Sequence, residues 1–452
     1  MRLSLFKRVF VWNPIVTGGV VFVLYLIPCL FALDPDAGWH IRSGGDILSH
    51  GIPAHDLYSY TATDFPWIHH EWLADVINYL IYQLGGFVLL SVVYASAWTA
   101  ATLVFLRNWR YGALAVIATL AVLPYVGVRA TTWTVGFMAL LSWLIDSSHR
   151  WRIAAILALF LVWANIHGGF VLGLVYLLWI TIWRRSALLG IAFVGAVALT
   201  GVTPYGYRIY EEVFRTLLDT SLHHRIDEWR SFAFEPSIVP YLGIWASTIV
   251  LRGRKWRTIP WFDGLLLVSA VLSVRNVPLF VLMSLTSTQR SFSTLAATLP
   301  KKITLVHQWL LPLTLSIGGM VLGACLLYDY QFLAHPEKTQ YPEEIVEKLR
   351  QQPCEGRIFN SYNVGGYLIW KLPDTEVYID GRMPSWELGG RKYMDDYYRI
   401  LRDDTFRRQQ FEHYGVRCVI WEGSDAFARK LQSEGWQTTR DESTLVLLRR
   451  PA

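Results

Sequence analysis

Long apolar stretches alternate with short polar ones through the first 330 residues, and this pattern predicts a bundle of membrane-spanning helices. A spanning helix needs about 20 mostly apolar residues. The segment that follows MRLSLFKR has no small-residue cleavage site before Asp34, so we expect a retained helix there rather than a signal peptide. In all we expect eleven spanning helices, several of them short, at 13–33, 84–106, 111–128, 131–146, 152–166, 168–183, 186–203, 238–251, 261–275, 276–289 and 307–328.

The pattern changes after residue 330, where the hydrophobicity falls. We expect a membrane domain over 1–330, a linker at 331–340 and a small α/β domain at 341–452. The Gly365–Gly366 pair in that domain indicates a turn or close packing rather than a ligand cradle. Alternating apolar positions predict strands, with helices between them near 341–352, 392–414 and 424–435. The predicted strands are GRIFN, YLIWKL, EVYIDGR, VRCVIWEG and STLVLLRR.

The distribution of Lys and Arg orients the predicted helices. With the N-terminus in the cytoplasm, sixteen Lys and Arg residues of the membrane region fall inside and seven Arg fall outside. Eleven helices then place the C-terminal domain outside the cytoplasm. The net charge of +6 is mainly a topology signal, and because no basic stripe carries interleaved aromatic residues, we expect no nucleic-acid partner.

The composition agrees with a membrane protein. Only 17% of the residues are charged, against about 25% in an average soluble domain, which excludes a disordered chain and argues against an ordinary soluble enzyme. The 21 Trp and 23 Tyr are typical of long membrane–water interfaces. The four cysteines are widely spaced and form neither a disulfide framework nor a CxxC zinc site, and whether Cys354 and Cys418 pair stays open.

Two long outer loops, 34–83 and 204–237, interrupt the membrane region and carry most of its acidic residues. Long ordered loops are often functional. Polar residues also collect at the outer ends of several predicted helices, where they are costly unless paired or functional. We therefore expect one outward-facing cleft. The residues concerned at the helix ends are Arg129, Asn165, His167, Tyr205, Arg275 and Asn276.

Each of these residues also has a structural interpretation. Asp34 and Asp36 either cap a helix that starts near residue 37 or take a catalytic or metal-binding role. The HHE at 69–71 resembles half a metal site, but there is no HExxH, so loop hydrogen bonding is the simpler interpretation. His167 is either an ordinary interfacial histidine or part of the cleft. Arg129 and Arg275 either reach lipid phosphates or bind an anionic ligand.

At this point the chain resembles the GT-C membrane glycosyltransferases, which include protein O-mannosyltransferases, aminoarabinose transferases of lipid A and oligosaccharyltransferase catalytic subunits. In those enzymes the first outer loop carries an acidic motif directly after the first helix. The matching stretch here runs from Asp34 to His40, and Pro66–Leu73 falls where the second motif of the loop would lie. This chain has Asp-Ala at 36–37, where many transferases have Asp-Glu.

More closely, the sequence is similar to a group of bacterial membrane proteins that share this loop and an outer α/β tail. The pieces that carry the similarity are DPDAGWHIRSG, HHEWL, ANIHGGFVLG, TPYGYRIYE, IDEWRSF, VRNVPLF, YNVGGYL and YIDGR. The resemblance implies a GT-C-like fold in the bacterial cytoplasmic membrane.

The resemblance also implies an activity: inverting transfer of a sugar from a polyprenyl-phosphate-linked donor to an envelope lipid, glycan or protein, without a certain cofactor. Asp36 would be the general base, with Asp34 as the second candidate. Arg129, Arg275 and Arg42 would offset negative charge on the leaving phosphate. Acceptor positioning, or the holding of an optional divalent metal, would fall to His40, His69, His70 and Glu71. The further cleft residues would be His167, Tyr205, Glu228 and Asn276.

Two other classes remain open. The same cleft could serve a transporter or flippase for a lipid-linked intermediate, although no inverted repeat of broken helices is visible. The chain could also be a non-catalytic scaffold of an envelope-polymer complex. In the C-terminal domain, Asp380 and Arg382 of YIDGR either recognise the acceptor or form a structural pair.

Overall fold

The computed structural model describes residues 14–31, 34–231, 238–252, 261–296, 341–440 and 444–451. The chain divides into two compact units, each made from separate pieces of sequence. The helical unit comprises 1–30, 91–206 and 220–329, and the mixed unit comprises 31–90, 207–219 and 330–452. The first outer loop thus belongs to the same compact unit as the C-terminal α/β segment. The predicted linker at 331–340 lies outside the described residues and stays a prediction.

Helices occupy the apolar stretches that the hydropathy pattern indicates. Each predicted spanning segment up to residue 289 overlaps with a helix of the structure. The predicted segment 307–328 lies outside the described residues. The helices up to residue 296 are α1 Pro14–Phe31, α2 Ala37–His50, α3 Trp72–Leu106, α4 Gly112–Val122, α5 Thr131–Asp146, α6 Arg152–Trp163, α7 Phe170–Arg184, α8 Ala187–Leu199, α9 Ile209–Leu218, α10 Leu222–Arg225, α11 Val239–Arg252, α12 Trp261–Leu272 and α13 Val277–Ala296.

Two of the described helices, α1 and α3, are both long and apolar enough to cross a bilayer, with mean hydropathies of 2.2 and 1.8 in their most apolar windows. Several others are apolar but only 10–17 residues long. The number of eleven spans therefore stays a prediction. Helix α3 is interrupted at Gly85 and Gly86, whose backbones are not helical, and Gly86 has a φ of 62° that other residues rarely adopt.

The helical unit has apolar side chains on its outside and hydrogen-bonded polar groups within. Ile182, Ile191 and Val194 are each 67% exposed. The hydroxyls of Tyr25 and Thr102, both fully buried, lie 2.8 Å apart. A water-soluble surface rarely exposes this much apolar area, whereas a lipid-facing surface requires it.

One ion-pair cluster joins three helix ends of the helical unit. Asp146, at the end of α5, contacts Arg107 at 2.5 Å and also pairs with Arg184 of α7. The charge-based topology places all three residues on the inside. Their contact is consistent with that shared side, and which face of the membrane it is stays a prediction.

The mixed unit contains a four-stranded sheet in the order β1-β4-β6-β5. β1 runs parallel to β4, and β6 is antiparallel to both β4 and β5. Cys354 and Cys418 form a disulfide that ties the segment before β1 to β4. The elements are α14 Glu343–Gln351, β1 Arg357–Asn360, α15 Tyr362–Lys371, β2 Glu387–Leu388, β3 Arg391–Lys392, α16 Tyr393–Arg402, α17 Asp404–Tyr414, β4 Val416–Glu422, α18 Ala426–Ser433, β5 Gln437–Arg440 and β6 Leu445–Arg449.

This small α/β domain confirms the predicted class, but two of its predicted strands are wrong. All of YLIWKL except its last residue lies in α15, because the close packing of the preceding Gly365 and Gly366 against other backbone segments outweighs the alternating pattern. EVYIDGR is not a strand; only Val377 forms an isolated bridge, with Ser59. The fourth strand of the sheet is instead β5, a polar and mostly exposed edge strand. Its sequence has no alternating apolar positions from which a strand could be predicted.

Candidate active site

The acidic turn between α1 and α2 holds Asp34 and Asp36 in different ways. Asp34 is buried, and its Oδ1 accepts a 2.9 Å hydrogen bond from the backbone N–H of Asp36. Asp36 occupies the N-cap position of α2 but makes no capping bond with its side chain. Its Oδ1 instead accepts the indole N–H of Trp39 at 3.0 Å, and the residue is partly exposed. Asp36 therefore has the more accessible carboxylate, held in a fixed direction.

Glycines set the position of α2. A Cβ at Gly38 would overlap the carbonyl of Gly366 in α15, and a Cβ at Gly366 would overlap the carbonyl of Pro35. This contact confirms the predicted close packing of the Gly365–Gly366 pair. On the other side, a Cβ at Gly44 would overlap the carbonyl of Asp75 in α3. Helix α2 is thus held between two backbones at distances that only glycine allows.

A buried cluster joins α2, the loop that follows it and the start of α3. Asp75 is fully buried and reaches Nδ1 of His40 at 2.6 Å and Nε2 of His69 at 2.8 Å. Ser43 Oγ lies 2.9 Å from the same nitrogen of His69. The rings of Trp39 and Trp67 stack on His40 and His69, with centroids 3.7 and 4.1 Å apart.

The two histidines of this cluster differ in their protonation. Burial alone would lower the pKa of His40, but the charges of Asp75, Glu71 and Asp36 outweigh it and raise that pKa to about 9. Burial dominates at His69 and lowers its pKa. His40 is therefore an imidazolium at neutral pH, and its Nε2 lies 3.9 Å from Glu71 Oε2.

A second carboxylate cluster lies beside Glu71. His70 Nε2 is 3.7 Å from Glu71 Oε1, and Glu212 of α9 accepts a 2.7 Å bond from Arg215. Glu212 is 5% exposed, and burial raises its pKa. The mixed unit thus places a residue of the second outer loop among those of the first.

The residues of YIDGR form a structural group. Arg382 binds both oxygens of Asp380 at 2.7 Å and Oδ1 of Asp56 at 2.6 Å. All three side chains are at most 1% exposed, and the guanidinium lies over the rings of Tyr58 and Trp67. Of the two interpretations of this pair, the geometry favours the structural one, because every part of it is buried within the unit.

In the helical unit, two of the predicted arginines lie at one turn, Asp227–Trp229. Arg129 pairs with Glu228, and the guanidinium of Arg275 lies 5.3 Å from the ring of Trp229. Asn276 donates to the carbonyl of Ser269 at 3.3 Å. The IDEWRSF and VRNVPLF segments are therefore neighbours.

His167 and Tyr205 belong to the helical unit and are engaged locally. Nδ1 of His167 accepts the backbone N–H of Gly169 at 3.0 Å and lies 2.7 Å from the hydroxyl of Thr134. The backbone N–H of Tyr205 donates to Oγ1 of Thr203 at 3.2 Å. These contacts agree with the interpretation of His167 as a hydrogen-bonded interfacial histidine.

The predicted site residues thus fall into two groups. Asp34, Asp36, His40, Arg42, His69, His70 and Glu71 lie in the mixed unit, and Arg129, His167, Tyr205, Glu228, Arg275 and Asn276 lie in the helical unit. Asp75 and Glu212 lie outside the motifs that indicate the other site residues. The sequence feature that could have indicated them is an acidic residue on an amphipathic helix, close in sequence to a histidine or glutamate of the outer loops.

A divalent metal does not fit these residues. Asp75 already contacts a ring nitrogen of both His40 and His69. Across the residues that the structure describes, no three His, Cys, Asp or Glu side chains are grouped to hold a metal ion. We therefore derive no catalytic step through a metal.

Comparison with protein-family models and with curated proteins gives no match. Two solved structures, however, share the fold. One is the Archaeoglobus fulgidus oligosaccharyltransferase tethered by a disulfide bond to an acceptor peptide containing the NVT sequon, with a TM-score of 0.55 and 11% identity, over 91% of this chain and 69% of that chain. The same oligosaccharyltransferase in its apo form has a TM-score of 0.51 and 11% identity, over 90% and 69%. The fold of this chain is therefore like that of the Archaeoglobus fulgidus oligosaccharyltransferase.

Proposed function

We propose that this protein is an integral-membrane glycosyltransferase that moves a sugar from a polyprenyl-phosphate-linked donor to an envelope acceptor. The oligosaccharyltransferase-like fold supports the class. The observation that carries the proposal is Asp36, a partly exposed carboxylate directly after the first membrane helix, oriented by Trp39 and not used for capping. This is the position at which the resemblance to GT-C enzymes predicts a catalytic carboxylate.

In the proposed reaction Asp36 accepts the proton of the acceptor hydroxyl or amide as that group attacks the anomeric carbon. The new bond forms on the face opposite the phosphate, the bond between the anomeric carbon and the phosphate oxygen breaks, and its electron pair leaves with the polyprenyl phosphate. The configuration at the anomeric carbon is thereby inverted. Asp34 is the second candidate, but its Oδ1 already accepts the N–H of Asp36, so its part is to shape the turn.

The charge that develops on the leaving phosphate needs a cation. We assign this role to Arg129 and Arg275, because guanidinium groups match phosphate oxygens. Glu228 orients Arg129, and Trp229 supports Arg275 through its ring. His167, Tyr205 and Asn276 line the same predicted outer ends of the helices.

Acceptor positioning falls to the groups that surround Asp36 in the mixed unit. Asp75 binds Nδ1 of His40, which directs the other ring nitrogen toward Glu71. His69 and His70 flank the same carboxylates. We propose that His40, His70 and Glu71 hold the acceptor and that His69 braces the cluster.

We place the mixed unit outside the cytoplasm of a bacterial cell. The disulfide between Cys354 and Cys418 supports this placement, because cytoplasmic thiols are kept reduced whereas disulfides persist in oxidising compartments. The excess of Lys and Arg on the other predicted side agrees with it.

The test is a transfer assay with the full chain in lipid nanodiscs and a synthetic polyprenyl-phosphate-linked sugar, following release of polyprenyl phosphate. We expect release by the wild type, loss of release in Asp36→Asn, and wild-type release in the matched control Asp64→Asn, an exposed aspartate of the same loop. Full activity of Asp36→Asn would overturn the assignment of the base. In sealed proteoliposomes, movement of intact donor across the bilayer without release would favour the flippase.

A further inference from the structure

The mixed unit contains a pocket of about 400 Å³ that the proposed reaction does not use. It lies along the last two turns of α2 and the loop that follows. This volume is in the lower part of the range of about 300–1,000 Å³ that is usual for ligand pockets. Its polar lining comes from Arg42, Asp46, His50, His55 and Tyr58.

Part of this lining is already paired. Oδ2 of Asp46 accepts the Nε–H of Arg42 at 2.7 Å and the hydroxyl of Tyr58 at 2.9 Å. These bonds fix the carboxylate and the guanidinium beside each other, in a half-exposed setting. Among the described residues, Oδ1 of Asp46 and the terminal nitrogens of Arg42 bind no partner, so a donor array and an acceptor remain available side by side.

The charges of the pocket decide which ligand class fits. Arg42 and Asp46 neutralise each other, and a phosphate placed on Arg42 would face the carboxylate of Asp46. His50 and His55 are exposed and add groups that can donate or accept. The array therefore suits an uncharged ligand whose neighbouring groups both donate and accept hydrogen bonds.

The rest of the lining is apolar. Ile52, Pro53, Leu57 and Pro373 contribute to it, and Leu57 is 57% exposed. A sugar ring presents hydroxyl groups at its edge and C–H groups on its faces, so it can satisfy the polar array and cover these side chains at once.

We propose that this pocket binds a neutral saccharide and that the saccharide is part of the acceptor. The identification as acceptor rests on the proposed function, whereas saccharide binding itself does not. Asp46 follows Asp36 by ten residues on α2, which corresponds to about 15 Å along the helix axis. The pocket would thus hold sugar units remote from the reacting group and contribute to the KM for the acceptor.

This assignment gives Arg42 a different role from the one that the resemblance implied. Its Nε is already used by Asp46, and its remaining nitrogens belong to the pocket rather than to the leaving phosphate.

The test is binding of the full chain, in fluorescently labelled nanodiscs, to an array of neutral and phosphorylated oligosaccharides. Asp46→Asn removes the charge but retains an oxygen that Tyr58 and Arg42 can still bind. Ala54→Trp fills the pocket from an exposed position without removing a side-chain bond. Asp64→Asn is the matched control outside the pocket.

We expect the wild type and Asp64→Asn to bind at least one neutral oligosaccharide, and both pocket variants to bind it about tenfold more weakly or not at all. Binding only of phosphorylated glycans, no binding of any array glycan, or unchanged binding by both pocket variants would each overturn the proposal. The two proposals fail separately. Glycan binding without sugar transfer contradicts the proposed function, and with it the identification of the saccharide as acceptor, but not the saccharide site. Sugar transfer without glycan binding contradicts only the saccharide site.

Discussion

The carboxylate of Asp36 lies against Gly381, in space that a Cβ at position 381 would fill. Asp36 follows the first membrane helix, whereas Gly381 belongs to YIDGR in the C-terminal segment. The candidate base is therefore positioned from two sides, by the indole of Trp39 and by the bare backbone at Gly381.

We expect Gly381→Ala to lower sugar transfer by about 100-fold, because the new methyl group displaces the carboxylate of Asp36 and misplacement by about 1 Å has effects of this size. The measurement is polyprenyl-phosphate release in nanodiscs. The control is Gly264→Ala, where a Cβ would meet nothing within 4 Å. Equal rates in the two variants would contradict the close fit.

Asp34 and Asp36 should differ in kinetics. Asp36→Asn removes the proposed base and should lower kcat by about 10²–10⁴-fold. Asp34→Asn keeps an oxygen that can accept the N–H of Asp36, so we expect a smaller loss. Measured kcat values in the opposite order would assign the base to Asp34.

The buried group around Arg382 predicts a stability effect. Arg382→Met leaves the carboxylates of Asp56 and Asp380 buried without their cation, which should cost about 3–5 kcal/mol and lower the melting temperature. The comparison is Arg408→Gln, whose side chain is 73% exposed and whose pair with Glu434 spans 3.5 Å. That loss should not exceed about 1 kcal/mol. Similar melting temperatures for both variants would refute a structural role for the group.

His40 should make the free energy of unfolding depend on pH in the neutral to alkaline range. Its pKa is raised from 6.5 to about 9 in the folded protein, because the charges of Asp75, Glu71 and Asp36 outweigh burial. A raised pKa gives stabilisation that is complete below pH 6.5 and is lost as the pH rises through about 9, by up to about 3 kcal/mol.

The measurement compares the melting temperatures of wild type and His40→Gln from pH 6 to pH 10. We expect the advantage of the wild type to shrink between about pH 6.5 and pH 9 and to stay constant above that. A constant difference at every pH would show that folding does not raise the pKa of His40.

The disulfide allows a test of orientation. In a Cys325→Ala background, which serves as the wild type of this test, Cys418→Ala frees Cys354, which is partly exposed, whereas the remaining Cys29 is buried. A membrane-impermeant maleimide should then label the variant in intact spheroplasts, and the wild type should stay unlabelled. Labelling that requires permeabilised membranes would place the C-terminal segment in the cytoplasm.

The helices and the acidic turn could be predicted because their signals are local. Apolar stretches mark the helices, and Asp34, Asp36 and His40 lie within seven residues of each other. The Gly365–Gly366 pair predicted close packing, but the sequence did not indicate that the packing partner is the start of α2.

Long-range pairings carried no such signal. Asp56 and Arg382 are 326 residues apart, and the sequence around either residue does not indicate the other as its partner. For the same reason the division into units was not predictable: the first outer loop packs with a segment whose sequence lies at the other end of the chain.

The mixed unit has a consequence for the order of events during synthesis. Its three pieces are separated by whole membrane helices, and Tyr60 and Thr61 bind carbonyls of Ile358 and Tyr378. Contacts this distant form late, because the loop-closure entropy is lost before they can stabilise the fold. With the proposed placement outside the cytoplasm, the first outer loop remains without its partner surface until the last strands have left the ribosome and crossed the membrane. A chaperone or a protease of that compartment would meet the loop during that interval, so slower arrival of the C-terminal segment should lower the amount of mature protein.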